Sequence, residues 1–280
     1  MPLSEVLGAF GEHRFLQYAL VAGLLAAVPC GVVGSWVVVR RISYMAGGIA
    51  HSVLAGLGVA HWLQVVHGVR GVTPMTGAVV AALVAAVIIG WVSVNLRQRE
   101  DTVIGAVWSM GMALGVVFIA LTPGYTADLM SYLFGNILMV SPRDLGLMAG
   151  LAVTVLLVAG LFHRQLLAVS FDAEYAELQG VPVVRFTFLL LLLTALTVVV
   201  LVSVVGIILV IALLTLPAAT ANLFARRLGR MMVLAVALCA ALTVGGLFIS
   251  YGSDLPAGAV TILLAGLVWF VAAGVRRRVS

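Results

Sequence analysis

The sequence predicts an all-α polytopic membrane protein, and its composition, its long apolar runs and its arginine distribution support that fold class. Of the 280 residues, 64% are hydrophobic and 9% are charged, which is too little polar surface to dissolve a globular domain of this length. Apolar runs recur from Phe15 almost to the end of the chain, and about twenty such residues cross a hydrocarbon core of roughly 30 Å. We therefore interpret residues 1–280 as a single transmembrane domain.

The apolar runs divide into eight or nine transmembrane helices. The stretch from Phe186 to Ala225 is about twice the length of one span, and we divide it near Gly206. The segment Asp128–Asn136 is too short to span, so it is expected to form a short helix at the outer face or a re-entrant turn. The nine-helix interpretation places spans at residues 15–39, 44–66, 75–96, 102–122, 143–163, 186–205, 206–225, 230–251 and 255–275.

The positions of the arginines predict the orientation, because short loops rich in basic residues stay in the cytoplasm. With the N-terminus outside and the C-terminus in the cytoplasm, only Arg14, Arg70 and Arg143 fall outside. The other twelve of the fifteen basic residues lie inside, so the net charge of +5 indicates membrane topology and not a nucleic-acid interface. These twelve are Arg40, Arg41, Arg97, Arg99, Arg164, Arg185, Arg226, Arg227, Arg230, Arg276, Arg277 and Arg278.

The chain contains no lysine, since all its basic residues are arginine. A Walker phosphate loop needs a lysine to hold the nucleotide phosphates, so any ATP-driven work must be done by another polypeptide. The sequence also lacks the residue sets of an intramembrane enzyme, and we expect no catalytic site. Cys30 and Cys239 lie within apolar runs and are expected to be unpaired, buried thiols.

One histidine lies in the middle third of the second predicted span. At helical spacing, Gly47, His51, Ala55 and Gly58 share one face, a small-residue stripe suited to close helix packing. His51 therefore points into the protein, where it either contacts a ligand or makes a structural hydrogen bond across a tight interface. Gly111 and Gly115 form a similar small-residue pair in the fourth span, which we assign to packing within the chain.

Two segments predicted to be cytoplasmic could fit into a groove of a partner protein. Asp172–Gly180 is expected to be a short acidic helix closed by glycine, and Asn222–Arg230 a short amphipathic turn. The alternative for the acidic segment is a solvated helix end with no partner.

Six stretches are distinctive and occur in this order along the chain: Arg40–Tyr44 with Ala50–Ser52, Asp101–Gly105, Asp128–Gly135, Glu174–Pro182, Leu216–Ala221 and Ser250–Gly258. Together they resemble the membrane permeases of bacterial zinc, manganese and iron ABC importers, over nearly the whole chain. The resemblance implies a fold related to the permeases for vitamin B12 and iron–siderophore complexes, in a multi-pass protein of the bacterial inner membrane. It also implies a second permease chain in a homodimer, two cytoplasmic ATPase subunits and an extracytoplasmic metal-binding protein. It further implies that no cofactor is held permanently and that a divalent metal ion is the cargo.

The resemblance also implies where the ATPase docks. The turn after the proline-containing helix is expected to be the main contact, and the acidic segment the secondary one. The main contact comprises Asn222, Leu223, Phe224, Arg226, Arg227, Gly229 and Arg230, and the secondary one Glu174, Glu177 and Gly180.

His51 is expected to contact the metal in transit. Many members of the family carry an aspartate four residues before this histidine, whereas this chain has Gly47 there. The loss of an oxygen ligand favours zinc over manganese, because zinc accepts imidazole readily. Asp128, Asn136 or water could fill the remaining positions. Import of an iron chelate, and a structural subunit without a transport role, remain the alternatives.

Overall fold

The computed structural model describes residues 12–95, 100–123, 135, 137–253 and 255–279. Nine helices in these ranges are long and apolar enough to cross a membrane. The predicted all-helical fold is confirmed, and each predicted span overlaps one of these helices to within a few residues. The helices are α1 Arg14–Val39, α2 Ser43–Val66, α3 Pro74–Asn95, α4 Glu100–Ala120, α5 Pro142–Leu161, α6 His163–Phe171, α7 Ala173–Leu178, α8 Val183–Val205, α9 Ile207–Phe224, α10 Leu228–Ser253 and α11 Ala257–Val279, with a 3₁₀ turn at Ile137–Met139.

Short-range chemistry explains several helix boundaries. α8 and α9 are separated by Gly206, with φ 83° and ψ 163°, a backbone conformation that is essentially restricted to glycine. This confirms the predicted division of the long apolar stretch. Before α5, the Asp144 carboxylate accepts hydrogen bonds from both the Ser141 backbone N–H and hydroxyl, at 3.0 and 2.6 Å. Such a reciprocal cap satisfies donors that the first turn of a helix leaves unpaired.

The predicted fifth span ended at residue 163, two residues beyond the end of α5 at Leu161. The residues that follow form a separate helix, α6, which was not predicted. In α6, Leu166 and Val169 are buried while Arg164 is exposed. An arginine is costly inside hydrocarbon, so the span ends before Arg164. The segment that contains Arg164 forms a separate amphipathic helix.

The chain forms two compact units. The first comprises Met1–Val38, Leu133–Leu161 and Val200–Ser280. Within it, α1 is largely buried, and Gly34 brings its backbone directly against the Leu214 carbonyl of α9. Cys30 and Cys239 are both free and fully buried here, as predicted. The interpretation of residues 1–280 as one domain stays a prediction.

The second unit comprises Val39–Tyr132 and Phe162–Val199. Its centre is α2, which packs against α3 on one side and α4 on another. Gly56 of α2 and Gly77 of α3 allow their backbones to meet, since a Cβ on either would overlap the carbonyl of the other. Such contacts between small residues are the usual means of close packing in membrane helices, where lipid is as apolar as the helix surfaces.

Candidate functional site

The predicted small-residue stripe of α2 faces α4. A Cβ added to Gly58 would lie 2.6 Å from the Gly115 carbonyl oxygen, and one added to Gly111 would lie 2.6 Å from the Ser52 Cα. Gly111 and Gly115 therefore pack within the chain, as predicted. Residues further along α2 contact residues further along α4, as Ser52 with Gly111 and Gly58 with Gly115 show. The two helices therefore run parallel along this seam.

His51 lies on the same seam, with its ring partly buried. Its imidazole stacks on the Trp108 indole of α4, with ring centroids 4.1 Å apart and planes inclined by 22°. Trp108 is itself held from two sides. Its Nε1–H donates to the Met112 sulfur at 3.3 Å, and the Tyr44 ring lies 5.9 Å away, centroid to centroid.

The second contact of the imidazole decides which of its nitrogens can bind a metal. His51 Nδ1 lies 2.9 Å from the Gly47 carbonyl oxygen, one turn back along α2. A carbonyl can only accept, so Nδ1 carries the proton and the lone pair is on Nε2. Histidines that ligate metals usually donate their other N–H in this way, because the bond fixes the ring and its tautomer. The sequence left open whether His51 contacts a ligand or makes a structural hydrogen bond across a tight helix interface. The bond observed lies within α2 and leaves Nε2 available, so contact with a metal stays a prediction.

Gly47 leaves room for a Cβ beside this histidine. A Cβ built there would come no closer than 3.6 Å to the Trp108 ring, an ordinary van der Waals contact. The position is buried and faces the Trp108 ring. A Cβ atom by itself would therefore not crowd this position.

The described residues contain no group of three or more His, Cys, Asp or Glu side chains that could hold a metal ion. His51 therefore does not belong to a set of three or more such side chains within the described ranges. Two residues expected to complete the site, Asp128 and Asn136, lie outside the described residues.

The opposite end of the α2–α4 seam is also aromatic. Trp62 packs edge-on against Phe118 of α4, with centroids 5.2 Å apart, and against His67, which follows α2, at 4.5 Å. His67 is exposed and lies where α2 ends.

The turn between α1 and α2 is anchored to α8 by an arginine. Arg40 donates from its guanidinium to the Thr187 hydroxyl at 3.2 Å. Burial lowers the pKa of Arg40 from its ordinary value, yet an arginine starts so high that it stays charged. This bond fixes the start of the helix that carries His51.

The predicted acidic helix is present as α7. The Asp172 carboxylate caps it by accepting from the Tyr175 backbone N–H at 2.9 Å, and Gly180 closes it with φ 78°. Glu174 and Glu177 are exposed. Three apolar side chains on and beside this helix are also largely exposed, namely Phe171, Tyr175 and Leu178 at 67%, 58% and 84%.

The predicted amphipathic turn links α9 to α10. α9 ends at Phe224, which is 57% exposed, and α10 begins at the buried Leu228. The arginines of the turn border a surface pocket of about 400 Å³, lined by Phe224, Ala225, Arg226, Arg230 and Leu234. Asn222, Arg227 and Gly229 are exposed and Leu223 is half-buried.

Trp108 was not among the predicted residues of this site. A pattern was present, because Trp108, Gly111, Gly115 and Phe118 follow the spacing of one helix face in α4. That face could have been matched to the stripe on α2, but which aromatic ring meets His51 depends on the register between the two helices.

The comparisons with known proteins agree with this architecture. The ABC 3 transport family matches residues 12–276. The manganese transport system membrane protein MntC of Halalkalibacterium halodurans is 37% identical over 93% of this chain and 87% of its own. The solved structure of PsaBC from Streptococcus pneumoniae in complex with a Fab has a TM-score of 0.84 and 34% identity, and covers 97% of this chain and 95% of its own.

A second solved structure shows how widely the fold extends. It is an inward-facing conformation of a putative metal-chelate type ABC transporter, with a TM-score of 0.71 over 98% of this chain and 90% of its own. At 15% identity, this likeness concerns the fold alone, and it agrees with the expected relation to chelate permeases. From the family match and the 37% identical relative, the chain belongs to the ABC 3 transport family, as a membrane permease subunit whose ATPase is a separate chain.

Proposed function

We propose that this chain is the permease of an ATP-driven importer of divalent transition-metal ions, and that His51 contacts the ion in transit. The observation that carries the proposal is the hydrogen bond from His51 Nδ1 to the Gly47 carbonyl at 2.9 Å, in the middle third of a transmembrane helix. It presents Nε2 as a ligand at a depth where a polar side chain is costly unless it has a function.

The ion binds weakly and leaves again, because one histidine cannot complete a coordination sphere. A tetrahedral site needs four ligands. A second permease chain in a homodimer would supply a second His51, and Asp128, Asn136 or water the remainder. An incomplete site suits transport, since an ion held by a closed set of protein ligands would not be released.

Zinc is the metal that the residues favour. Imidazole suits zinc, whereas manganese prefers carboxylate and carbonyl oxygens, and position 47 offers no carboxylate. Manganese is the second candidate, because a relative that matches most of the chain is named as a manganese transport protein. The two metals are separated by competition during uptake.

ATP binding and hydrolysis in the partner chains would tilt the permease helices between outward-open and inward-open states. In this arrangement an extracytoplasmic protein delivers the metal ion and the cytoplasmic ATPases drive its release inside. The arginine distribution favours an external N-terminus and a cytoplasmic C-terminus in a bacterial inner membrane.

Two segments are proposed to contact the ATPases. The turn Asn222–Arg230 presents Phe224 and three arginines, and α7 presents Glu174 and Glu177 beside Tyr175 and Leu178. Exposed aromatic and aliphatic side chains with a charged rim are typical of protein interfaces. The exposure of Tyr175 and Leu178, at 58% and 84%, supports a role for α7 as the secondary contact.

Uptake in vesicles tests the proposed function. The permease is reconstituted with its ATPase and binding protein, and ATP-dependent uptake of Zn²⁺, Mn²⁺ and a ferric chelate is measured. We expect uptake of free ions, with Zn²⁺ competing better than Mn²⁺, and its loss in His51→Ala but not in His13→Ala, an exposed control. Uptake of chelate alone would instead identify a chelate permease. No uptake by an intact assembly would indicate a non-transporting subunit.

Charge reversal tests the docking segments separately. Arg226→Glu with Arg227→Glu, and Glu174→Lys with Glu177→Lys, are each expected to weaken co-purification of the ATPase or to uncouple ATP hydrolysis from uptake. Arg70→Glu is the control, because Arg70 is exposed and predicted to lie outside. Native co-purification and coupling in either double variant would exclude that segment.

A further inference from the structure

The indole of Trp108 covers one face of the His51 ring. Its centroid lies 4.1 Å from the imidazole centroid, and the 22° angle between the planes is close to parallel stacking. An imidazole held by one hydrogen bond at Nδ1 can still rock about that bond. A flat surface against its face removes this freedom, so the bond and the stack together fix the direction of Nε2.

Trp108 offers the imidazole a rigid surface and cannot act as a metal ligand. Its N–H is directed to the Met112 sulfur at 3.3 Å, and indole nitrogen is a donor only. The ring also reaches Gly47, where its Cζ3 would lie 3.6 Å from an added Cβ. It therefore spans the Gly47–His51 turn of α2 and contributes no oxygen or nitrogen lone pair.

From this geometry we propose that Trp108 is a positioning residue, which fixes the His51 imidazole and so sets the affinity and the metal preference of the transit site. This inference rests on the proposed role of His51. A fixed imidazole beside a ring that offers no oxygen or nitrogen lone pair favours ions that bind nitrogen well, such as Zn²⁺, over Mn²⁺. Loss of the stack would lower the affinity for Zn²⁺ more than that for Mn²⁺.

Two substitutions at Trp108 distinguish a positioning role from a packing role, because the side chains they introduce are closer in volume to each other than to tryptophan. Trp108→Phe keeps an aromatic face for the imidazole, and Trp108→Leu keeps apolar volume without one. Supporting groups of metal-ligating histidines are worth about 10–100-fold in affinity, so we expect Trp108→Leu to weaken Zn²⁺ binding by about tenfold or more. Trp108→Phe should stay within about threefold of the native value, because its smaller ring still stacks.

The measurement is the dissociation constant for Zn²⁺ and for Mn²⁺ on the purified permease–ATPase assembly, without the external binding protein, whose own affinity would otherwise dominate. Thermal stability is recorded for each variant. Trp91→Leu is the matched control, since Trp91 is a tryptophan of α3 in the same unit with 56% of its surface exposed. It should leave both constants unchanged.

The outcomes distinguish this inference from the proposed function. Equal Zn²⁺ affinity in the Leu and Phe variants would overturn the positioning role, as would a loss that follows thermal stability alone. The same substitutions are repeated in His51→Ala, where the difference between Leu and Phe should vanish. If it persists, Trp108 acts independently of His51 and the inference is wrong. If His51→Ala binds and transports Zn²⁺ normally, the proposed role of His51 itself fails.

Discussion

Replacement of Gly47 by aspartate should shift the metal preference of this permease towards manganese. A Cβ at this position would lie 3.6 Å from the Trp108 ring, so the Cβ itself requires no movement of the backbone or the indole. The Gly47 carbonyl that accepts from His51 Nδ1 belongs to the main chain and stays in place. The new carboxylate would stand one helical turn from His51 on the same face, where both can reach one ion.

Two opposing effects determine the magnitude. An unpaired carboxylate at this buried position costs roughly 1–3 kcal/mol or more in the metal-free protein. Aspartate is a better helix former than glycine, which offsets roughly a few tenths of a kcal/mol of that cost. A bound ion removes that cost and gains an oxygen ligand. We expect Mn²⁺ affinity to rise about tenfold relative to Zn²⁺, which corresponds to about 1.4 kcal/mol.

The assay measures the dissociation constants for Mn²⁺ and Zn²⁺ on the purified assembly, together with competitive uptake in vesicles. Gly47→Ala is the control for the added Cβ, and Gly47→Leu is the control for a branched side chain of similar shape that carries no ligand atom. Both should keep the native ratio of the two affinities. If Gly47→Asp leaves this ratio equal to that of Gly47→Leu, the carboxylate does not reach the ion, and the placement of the site beside His51 is refuted.

Other predictions concern packing, backbone and burial. Gly58→Ala should destabilise the protein by about 1–3 kcal/mol, because its Cβ would lie 2.6 Å from a carbonyl of α4. Gly206→Ala should cost a similar amount, of order 1–3 kcal/mol, from backbone strain at φ 83°. Thermal melting in detergent checks both against Gly146→Ala, which meets no atom within 4 Å and should melt like the native protein; equal melting of all three would contradict the packing and the strain. Cys30 and Cys239 are fully buried, so a maleimide should label them only after denaturation, and rapid labelling of the native protein would disprove their burial.

The spans were predictable because a bilayer restricts the structures that can cross it. Backbone groups in hydrocarbon must be hydrogen-bonded within the segment, so a run of about twenty apolar residues becomes a helix. Local backbone chemistry was equally clear at Gly206, where a double-length run had to turn, and at Gly180, where the acidic helix ends. The boundary after α5 was less predictable, because the apolar residues of α6 resemble a continuation of the span.

The helix faces were harder to predict than the helices. In a soluble protein, polarity marks the face that meets water, but lipid and protein interior are similarly apolar, so the apolar spans carry little information about orientation. The stripe of Gly47, Ala55 and Gly58 was an exception, since small residues mark close contacts. That stripe correctly placed His51 on a packed seam.

The sequence by itself determined that the chain is a membrane protein of eight or nine apolar spans, that any ATP-driven work must be done by another polypeptide because the chain has no lysine, and that His51 lies among small residues. Only the tertiary structure decided what the histidine meets. The register of α2 against α4 sets Trp108 on its face, its Nδ1 proton is assigned by a carbonyl one turn away, and the space beside Gly47 depends on the position of that same indole. These features depend on distances between separate helices, which the pattern within one helix does not contain.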